Sequence, residues 1–203
     1  MIMEKVVLLL GTNMGDRDEN LSKAVRLLVI YHSILMQKIE TGGGFSDSIA
    51  CNHSFLSNIK EVDKSDQLNE NMNLVTSKIY ETAPWGFNSD DFFLNQAVEF
   101  DSTLTPENLL DLCQQIEVEM GREKHSAKFD DTGERLYFSR IIDIDIIFYG
   151  DRVVESDRLT IPHPLMCERE FVLKPLLDLI PDYRHPILEL SVLELYKRLR
   201  ERQ

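Results

Sequence analysis

The segment Arg140-Ile-Ile-Asp143-Ile-Asp145-Ile-Ile147 alternates acidic and branched aliphatic side chains, and it indicates more about the fold than any other part of the chain. Alternation with a period of two predicts a half-buried β-strand, because successive side chains of a strand point to opposite faces. Asp143 and Asp145 therefore share one face, and the aliphatic residues share the other: Ile142, Ile144 and Ile146. Two like charges on one strand repel each other, so a positive group is expected beside them.

Two interpretations of the paired aspartates follow from the segment alone. A hard divalent cation such as Mg²⁺ binds a few carboxylate oxygens together with the phosphates of a substrate. Alternatively, the aspartates form the solvated face of an edge strand, where charged side chains discourage pairing between molecules. The segment by itself leaves both interpretations open.

Length and composition predict one domain. The 203 residues, of which 43% are hydrophobic, are enough for one full core, and we expect residues 1–203 to form a single domain. Residues 37–73 are polar and contain Gly42-Gly43-Gly44, so they are interpreted as an insertion. Residues 188–203 are expected to form a C-terminal helical extension, because they include an amphipathic segment.

Charge and cysteine usage narrow the class of protein. A net charge of -13 argues against a general nucleic-acid binder, although residues 121–140 are locally basic. No apolar run is long enough for a membrane span or for a signal-peptide core, so we expect no membrane partner. Cys51, Cys113 and Cys167 are widely spaced and form no zinc pattern, which favours a reduced, cytoplasmic protein.

Apolar periodicity and turn residues predict the elements of the first half of the chain. Residues 6–10 are a continuous apolar run that predicts a buried strand, and residues 11–16 contain the glycines of a tight turn. Apolar residues recur at helical spacing from Asn20 onward. The spacing after Gly15 does not match a Walker A loop, so the turn is interpreted as a helix N-cap.

The second half of the chain predicts two more strands and two more helices. Residues 74–82 and 92–100 are strand-like, and Thr105-Pro106-Glu107 opens a helix that ends at Gly121. Apolar residues between 171 and 180 predict a packed C-terminal helix. Together these elements predict an α+β fold in which helices cover an antiparallel or mixed sheet.

Several motifs occur together in one order along nearly the whole chain, apart from residues 37–73 and the C-terminus. They are Leu10-Gly11-Thr12-Asn13-Met14-Gly15-Asp16, Tyr80-Glu-Thr82-Ala-Pro84-Trp85-Gly86, Phe93-Leu-Asn95, Gln114-Gln-Ile-Glu117, Gly121-Arg122, the Arg140 to Asp145 element, and Pro162-His163 with Arg169 and Phe171. In these motifs the chain resembles the 6-hydroxymethyl-7,8-dihydropterin pyrophosphokinases. That family transfers pyrophosphate from ATP to a reduced pterin in folate biosynthesis, giving AMP and the pterin diphosphate.

The resemblance implies a ferredoxin-like three-layer αβα sandwich with a mostly antiparallel sheet. It also implies that Asp143 and Asp145 hold two Mg²⁺ ions, with ATP as co-substrate. Arg122 and Arg140 complete the implied catalytic set, because a guanidinium can donate two parallel hydrogen bonds to phosphate oxygens.

Ligand contacts are also implied by the resemblance. The implied ATP-binding residues are Gln114, Glu117, Arg122, Lys124, Arg140, Ile146, Arg158, Thr160, His163 and Arg169. The implied pterin-binding residues are Thr82, Ala83, Trp85, Phe93, Asn95, Asp143 and Phe171.

Each of these residues has a plainer interpretation when it is taken alone. The two phenylalanines are then core residues, and Asn95 is a polar residue at a strand end. Gln114 and Glu117 are then solvated helix surface, and His163 is a loop residue.

The chain departs from the family pattern in the loop before Arg140. The family usually has a basic and a small residue there, together with a tryptophan that closes over the site, whereas this chain has Leu136-Tyr137-Phe138-Ser139. Either Tyr137 or Phe138 is expected to replace the tryptophan. We expect residues 121–140 to become ordered over bound substrates.

Two other functions are compatible with the same residues. One is another Mg²⁺-dependent nucleotidyl or phosphoryl transferase that uses the paired aspartates. The other is a catalytically weak pterin- or nucleotide-binding scaffold. The residues leave open the oligomeric state and any association with other folate enzymes.

Overall fold

The computed structural model describes residues 2–41, 72–84, 92–122 and 140–202. In chain order the elements are β1 (Glu4–Thr12), helix α1 (Arg17–Glu40), β2 (Val75–Thr76), β3 (Tyr80–Thr82), β4 (Phe93–Ser102), helix α2 (Pro106–Glu119), β5 (Asp143–Tyr149), β6 (Val154–Glu155), β7 (Thr160–Ile161), a 3₁₀ turn (Met166–Glu168), helix α3 (Glu170–Leu179) and helix α4 (Val192–Glu201).

The main sheet is antiparallel throughout the described residues. Its strand order is β2-β4-β1-β5, and β3 also pairs with β4. The central strand β1 pairs with β4 along its whole length, from Glu4 opposite Ser102 to Thr12 opposite Leu94. The prediction of an α+β fold with a mostly antiparallel sheet is confirmed.

Strand β5 has the predicted alternation. Ile144 and Ile146 are buried in the core on one face, whereas Asp143 and Asp145 are partly exposed on the other. The alternation ends at an irregularity opposite Val7 and Leu8 of β1, where the register shifts. Beyond it, Ile147 and Phe148 both pack in the second core.

Helices cover both faces of the sheet. Helices α1 and α2 pack on the face that carries Leu8 and Leu10 of β1, and α3 and α4 pack on the face that carries Val7 and Leu9. The strongly apolar sequence of β1 is explained by this position, because a central strand covered on both faces needs apolar residues at every position.

Helix boundaries agree with the capping signals in the sequence. Asp16 caps α1 by accepting a hydrogen bond from the Glu19 N–H at 3.0 Å, in agreement with the predicted N-cap turn, and the helix begins at Arg17. It continues to Glu40, so residues 37–40 are helical, and the predicted insertion at about residues 37–73 stays a prediction. Residues 42–71 lie outside the described residues. Thr105 caps α2 as predicted.

The segment predicted as one strand at residues 74–82 contains two short strands. Ser77 lies between them, and its side-chain hydroxyl accepts a hydrogen bond from the Ala97 N–H at 2.9 Å. The Ser77 N–H in turn donates to the Ala97 carbonyl oxygen at 2.9 Å. A side chain therefore takes one ladder position of β4, which separates β2 from β3.

Helix α4 is part of the second core, although it falls in the predicted C-terminal extension. Val192, Leu195 and Leu199 are buried against α3 and the sheet. None of the described helices is both long enough and apolar enough to cross a membrane.

Candidate active site

An open pocket lies between the sheet and the start of α3. It contains about 580 Å³ of empty space, including solvent at its mouth. The lining residues are Leu9, Gly11, Thr82, Ala83, Phe93, Asn95, Asp143, Asp145, Arg169 and Phe171. Six of the seven residues predicted to contact the pterin line this pocket, and Trp85 lies outside the described residues. Both predicted metal ligands line it as well.

Strand register explains why these residues meet. Gly11 of β1 lies opposite Asn95 of β4 on one side and opposite Asp143 of β5 on the other, and Leu9 lies opposite Asp145. A Cβ atom at Gly11 would lie 3.3 Å from the Asn95 side-chain oxygen. The absence of a side chain at Gly11 thus leaves room between the amide and the carboxylate. Gly11 was predicted as part of a turn and of a family motif, and neither Gly11 nor Leu9 was among the predicted site residues.

The aromatic and amide groups of the pocket are only partly packed. Phe93 and Phe171 are half-buried and line the cavity, and Phe171 also packs against the second core. Asn95 is buried, and its side-chain N–H donates to the Thr82 hydroxyl at 2.8 Å. This bond orients the amide within the pocket.

Two arginines hold Asp143. Nη1 of Arg122 lies 3.0 Å from one Asp143 carboxylate oxygen, and Nη1 of Arg140 lies 2.5 Å from the other. Arg122 also pairs with Glu117. Charged residues at the end of α2, at the start of β5 and three positions before that strand therefore meet in one cluster.

Glu117 is buried, with 5% of its surface exposed, so its interpretation as solvated helix surface is wrong. One of its carboxylate oxygens accepts a hydrogen bond from the Ile144 N–H at 2.8 Å, on the side of β5 away from β1. Its pKa is raised from 4.5 to about 7, chiefly because burial disfavours the charged form and secondly because Asp143 lies nearby. Gln114, one turn earlier, is exposed.

The electrostatics of Asp145 suit a cation-binding group. Its pKa is raised from 3.8 to about 7, chiefly by burial and then by repulsion from Asp143, while Arg169, Arg140 and Arg122 oppose the shift. β5 is the last strand of the described sheet, as the edge-strand interpretation requires, but its two aspartates are only partly exposed and line the pocket.

The oxygen donors of Asp143 and Asp145 are those that Mg²⁺ prefers, and the repulsion between them would be relieved by a cation. Within the described residues no group of three or more His, Cys, Asp or Glu side chains forms a metal site. A Mg²⁺ ion here would therefore complete its shell with water or substrate oxygens.

Asn13 holds Arg140 and was not among the predicted site residues. The Asn13 side-chain oxygen accepts a hydrogen bond from the backbone N–H of Arg140 at 2.7 Å. The backbone N–H of Asn13 donates to the Arg140 carbonyl oxygen at 3.2 Å. The Asn13 side chain is almost fully buried. The turn after β1 therefore fixes the backbone of the arginine that contacts Asp143.

The remaining predicted nucleotide contacts lie in different surroundings. Arg158 pairs with Asp111 at 2.5 Å, and Thr160 is exposed on β7. The side chain of Ile146 is in the core, so only its backbone could contact a ligand. His163 donates its backbone N–H to Ile147 on β5 at 3.1 Å.

Of the other predicted nucleotide-binding residues, Arg169 lies in the pocket and Lys124 lies outside the described residues. The Arg169 guanidinium lies 5.6 Å from the centre of the Phe171 ring, which is a cation–π distance. Lys124 and the predicted closing loop with Tyr137 and Phe138 lie outside the described residues.

Comparison with known proteins identifies the family of the chain. The model of the family described as 7,8-dihydro-6-hydroxymethylpterin-pyrophosphokinase (HPPK) matches residues 39–181. The chain is 33% identical over 170 residues to a Bacillus subtilis 2-amino-4-hydroxy-6-hydroxymethyldihydropteridine pyrophosphokinase, covering 84% of this chain and 74% of that protein.

Other relatives are longer proteins. The chain is 41% identical over 126 residues to the folic acid synthesis protein fol1 of Pneumocystis carinii, covering 62% of this chain but only 16% of that protein. The fold resembles the crystal structure of Plasmodium falciparum HPPK-DHPS with pteroate, with a TM-score of 0.55 and 18% identity over 99% of this chain and 45% of that one. The chain belongs to the HPPK family.

Proposed function

We propose that this protein transfers pyrophosphate from ATP to 6-hydroxymethyl-7,8-dihydropterin, giving AMP and the pterin diphosphate in folate biosynthesis. The observation that carries the proposal is a single pocket in which Phe93, Phe171 and Asn95 lie beside Asp143 and Asp145. Aromatic faces and an oriented amide suit a flat heterocycle, and paired carboxylates beside arginines suit a polyphosphate.

The acceptor side of this proposal rests on the aromatic end of the pocket. The pterin ring would stack on Phe93 and Phe171, while the Asn95 amide would read its polar edge. Thr82 keeps that amide in one orientation through the 2.8 Å hydrogen bond. The hydroxymethyl group would then point toward the aspartates, because Asp143 lies across Gly11 from Asn95.

The donor side rests on charge. Arg122 and Arg140 would exchange contacts with Asp143 for contacts with ATP phosphates, and Arg169 would add a third cation. Asp143 and Asp145 would hold Mg²⁺, two ions in the arrangement we propose. When bound, these ions neutralise charge that develops on the transferred group. The protein itself contributes positioning and exclusion of water.

The proposal also includes the fold type, the cellular location and the class of substrate. The strand order, with helices on both faces, supports a ferredoxin-like three-layer αβα sandwich. The free thiols of Cys113 and Cys167 support a reducing, cytoplasmic location. A net charge of -13 supports small-molecule substrates in preference to nucleic acid.

The test is AMP release from ATP with Mg²⁺, measured with and without 6-hydroxymethyl-7,8-dihydropterin. We expect AMP only when the pterin is present. Asp143→Asn and Asp145→Asn should each lower kcat by about a thousandfold or more while the fold is retained. Asp182→Asn, which changes an exposed carboxylate outside the pocket, is the matched control and should keep normal activity. AMP release that does not depend on the pterin would reject this acceptor.

A further inference from the structure

The first turn of α3 presents two pocket residues on either side of Glu170. Arg169 and Phe171 both line the pocket, whereas the Glu170 carboxylate contacts α4. The Tyr196 hydroxyl donates to Oε1 of Glu170 at 3.1 Å, and Nη1 of Arg200 lies 3.4 Å from Oε1 and 3.3 Å from Oε2. Two groups one turn apart on α4 thus hold the residue between the two pocket residues.

Helix α4 is itself held in place by core packing and by its N-terminal cap. Leu195 and Leu199 anchor it in the second core. Its first turn has a complete capping box, in which the Ser191 hydroxyl accepts from the Glu194 N–H at 3.1 Å and the Glu194 carboxylate accepts from the Ser191 N–H at 2.7 Å. A helix fixed by its core face and its N-terminus can restrain a neighbouring side chain.

The other end of α3 holds the opposite wall of the pocket. Asp178 accepts hydrogen bonds from the Lys78 N–H and from the Tyr80 hydroxyl, both at 3.0 Å. Tyr80 begins β3, the strand that ends at the pocket residue Thr82. Helix α3 therefore connects α4 to β3, and its position sets the spacing between Phe171 and Thr82.

We propose that Tyr196 and Arg200 are positioning residues for the pterin, acting through Glu170 on its neighbour Phe171. This inference rests on the proposed function and identifies the part of the chain that orients its acceptor pocket. Their contacts restrict the first turn of α3 before substrate binds, so less ordering is needed on binding. The ATP side of the site is held by other contacts, since Asn13 accepts a hydrogen bond from the Arg140 N–H and Glu117 accepts one from the Ile144 N–H.

The expected effect is moderate and selective. The Glu170 and Arg200 side chains are 33% and 55% exposed, so solvent weakens the pair. We expect Tyr196→Phe and Arg200→Met each to raise the KM for the pterin about three- to fivefold, with kcat and the KM for ATP within about twofold of the wild-type values. Arg198→Met is the matched control, because it removes the same charge from an exposed position of the same helix.

The experiment compares steady-state kinetics with calorimetric titration of 6-hydroxymethyl-7,8-dihydropterin in the presence of Mg²⁺ and a non-hydrolysable ATP analogue. All assays are run well below the measured Tm of each variant, so that loss of stability alone does not change KM. A selective rise in the pterin KM and Kd in Tyr196→Phe and Arg200→Met, absent in Arg198→Met, supports the proposal.

Other outcomes overturn it. If the Kd for the pterin is unchanged in Tyr196→Phe and Arg200→Met, with or without a lowered Tm, these contacts stabilise the fold but do not position the pterin. An equal rise in the KM and Kd for the pterin in Arg198→Met would show that only the charge of the helix matters. A wild-type protein that binds the pterin without releasing AMP would reject the proposed activity, while the comparison of Kd values would still decide the positioning role.

Discussion

At the scale of single residues, two acidic groups beside the pocket have raised pKa values. Asp145 and Glu117 both have pKa values raised to about 7, with burial as the first cause and Asp143 as the second. Their ordinary values are 3.8 and 4.5. Between pH 4 and pH 7 these two groups therefore bind more protons in the folded protein than in the unfolded chain, and their contribution to stability decreases as the pH rises.

Asp145→Asn should remove part of this pH dependence. Without added cations, we expect the variant to be more stable than the wild type at pH 8 by about 1–2 kcal/mol, and to differ little from it at pH 4. The measurement is urea unfolding across that pH range. Asp182→Asn, an exposed carboxylate, should follow the wild-type curve. Parallel curves for wild type and Asp145→Asn would contradict the electrostatic interpretation.

Asn13 provides a second prediction at this scale. Asn13→Ala removes the acceptor of the Arg140 N–H, which should cost about 1–2 kcal/mol of stability. Because Arg140 would no longer be held in place, kcat for AMP release should fall about tenfold. Asn20→Ala is the control: its side chain bonds Thr12 and Met14 in the same turn but does not contact Arg140. Equal kcat values in the two variants would exclude a specific role for Asn13.

At the scale of elements, the packing of α1 on β4 includes a buried imidazole. His32 Nε2 lies 2.9 Å from the Ser102 hydroxyl, and the ring meets Phe100 edge to face at 5.3 Å between centres. Burial lowers the pKa of His32 from 6.5 to about 4. The neutral imidazole is therefore the form that joins this helix to the sheet.

His32→Gln tests that contact through pH. Between pH 6.5 and pH 4 the unfolded chain gains a proton on His32 before the folded state does, so this group lowers stability as the pH falls, by about 1.4 kcal/mol per pH unit. The difference in unfolding free energy between wild type and His32→Gln should shift accordingly between pH 7 and pH 5. The difference isolates His32 from the carboxylates, which act in the opposite direction. A difference that does not change with pH would contradict the lowered pKa.

At the scale of the whole molecule, two separate cores lie on the two faces of one sheet. The second core is completed by α4, which ends near the C-terminus, beyond the residues that the family model matches. The C-terminal helix thus covers the same sheet face on which the pocket opens. We expect the second core to depend on it.

Leu195→Ala and Leu193→Ala form a matched pair on this helix. Leu195 is 4% exposed and Leu193 is 36% exposed. Leu195→Ala should lower the free energy of unfolding by about 2–4 kcal/mol because it leaves a cavity in the second core. Leu193→Ala should change it by less than about 1 kcal/mol. Equal effects, measured by urea unfolding, would mean that α4 is only a loosely attached extension.

The residues of local motifs were predictable because their structure depends on near neighbours. The strand with Asp143 and Asp145 on one face follows from side-chain alternation, and the start of α2 follows from Thr105 and Pro106. The resemblance to a family then added the members of the pocket, since Phe93, Asn95 and Phe171 belong to motifs that occur together. The end of α1 was less predictable, because the helix continues into a polar segment. The division of β2 from β3 was also less predictable, because it depends on one hydrogen bond to the Ser77 hydroxyl.

The sequence by itself determined the α+β class, the paired aspartates and the identity of most pocket residues. Only the tertiary structure decided that Glu117 supports β5 at Ile144 from 27 residues away, and that Asn13 holds Arg140 from 127 residues away. It also decided that Gly11 and Leu9 line the pocket and that α4 contacts Glu170. Periodicity and capping are local properties, whereas these contacts depend on strand register and on how helices pack across the sheet.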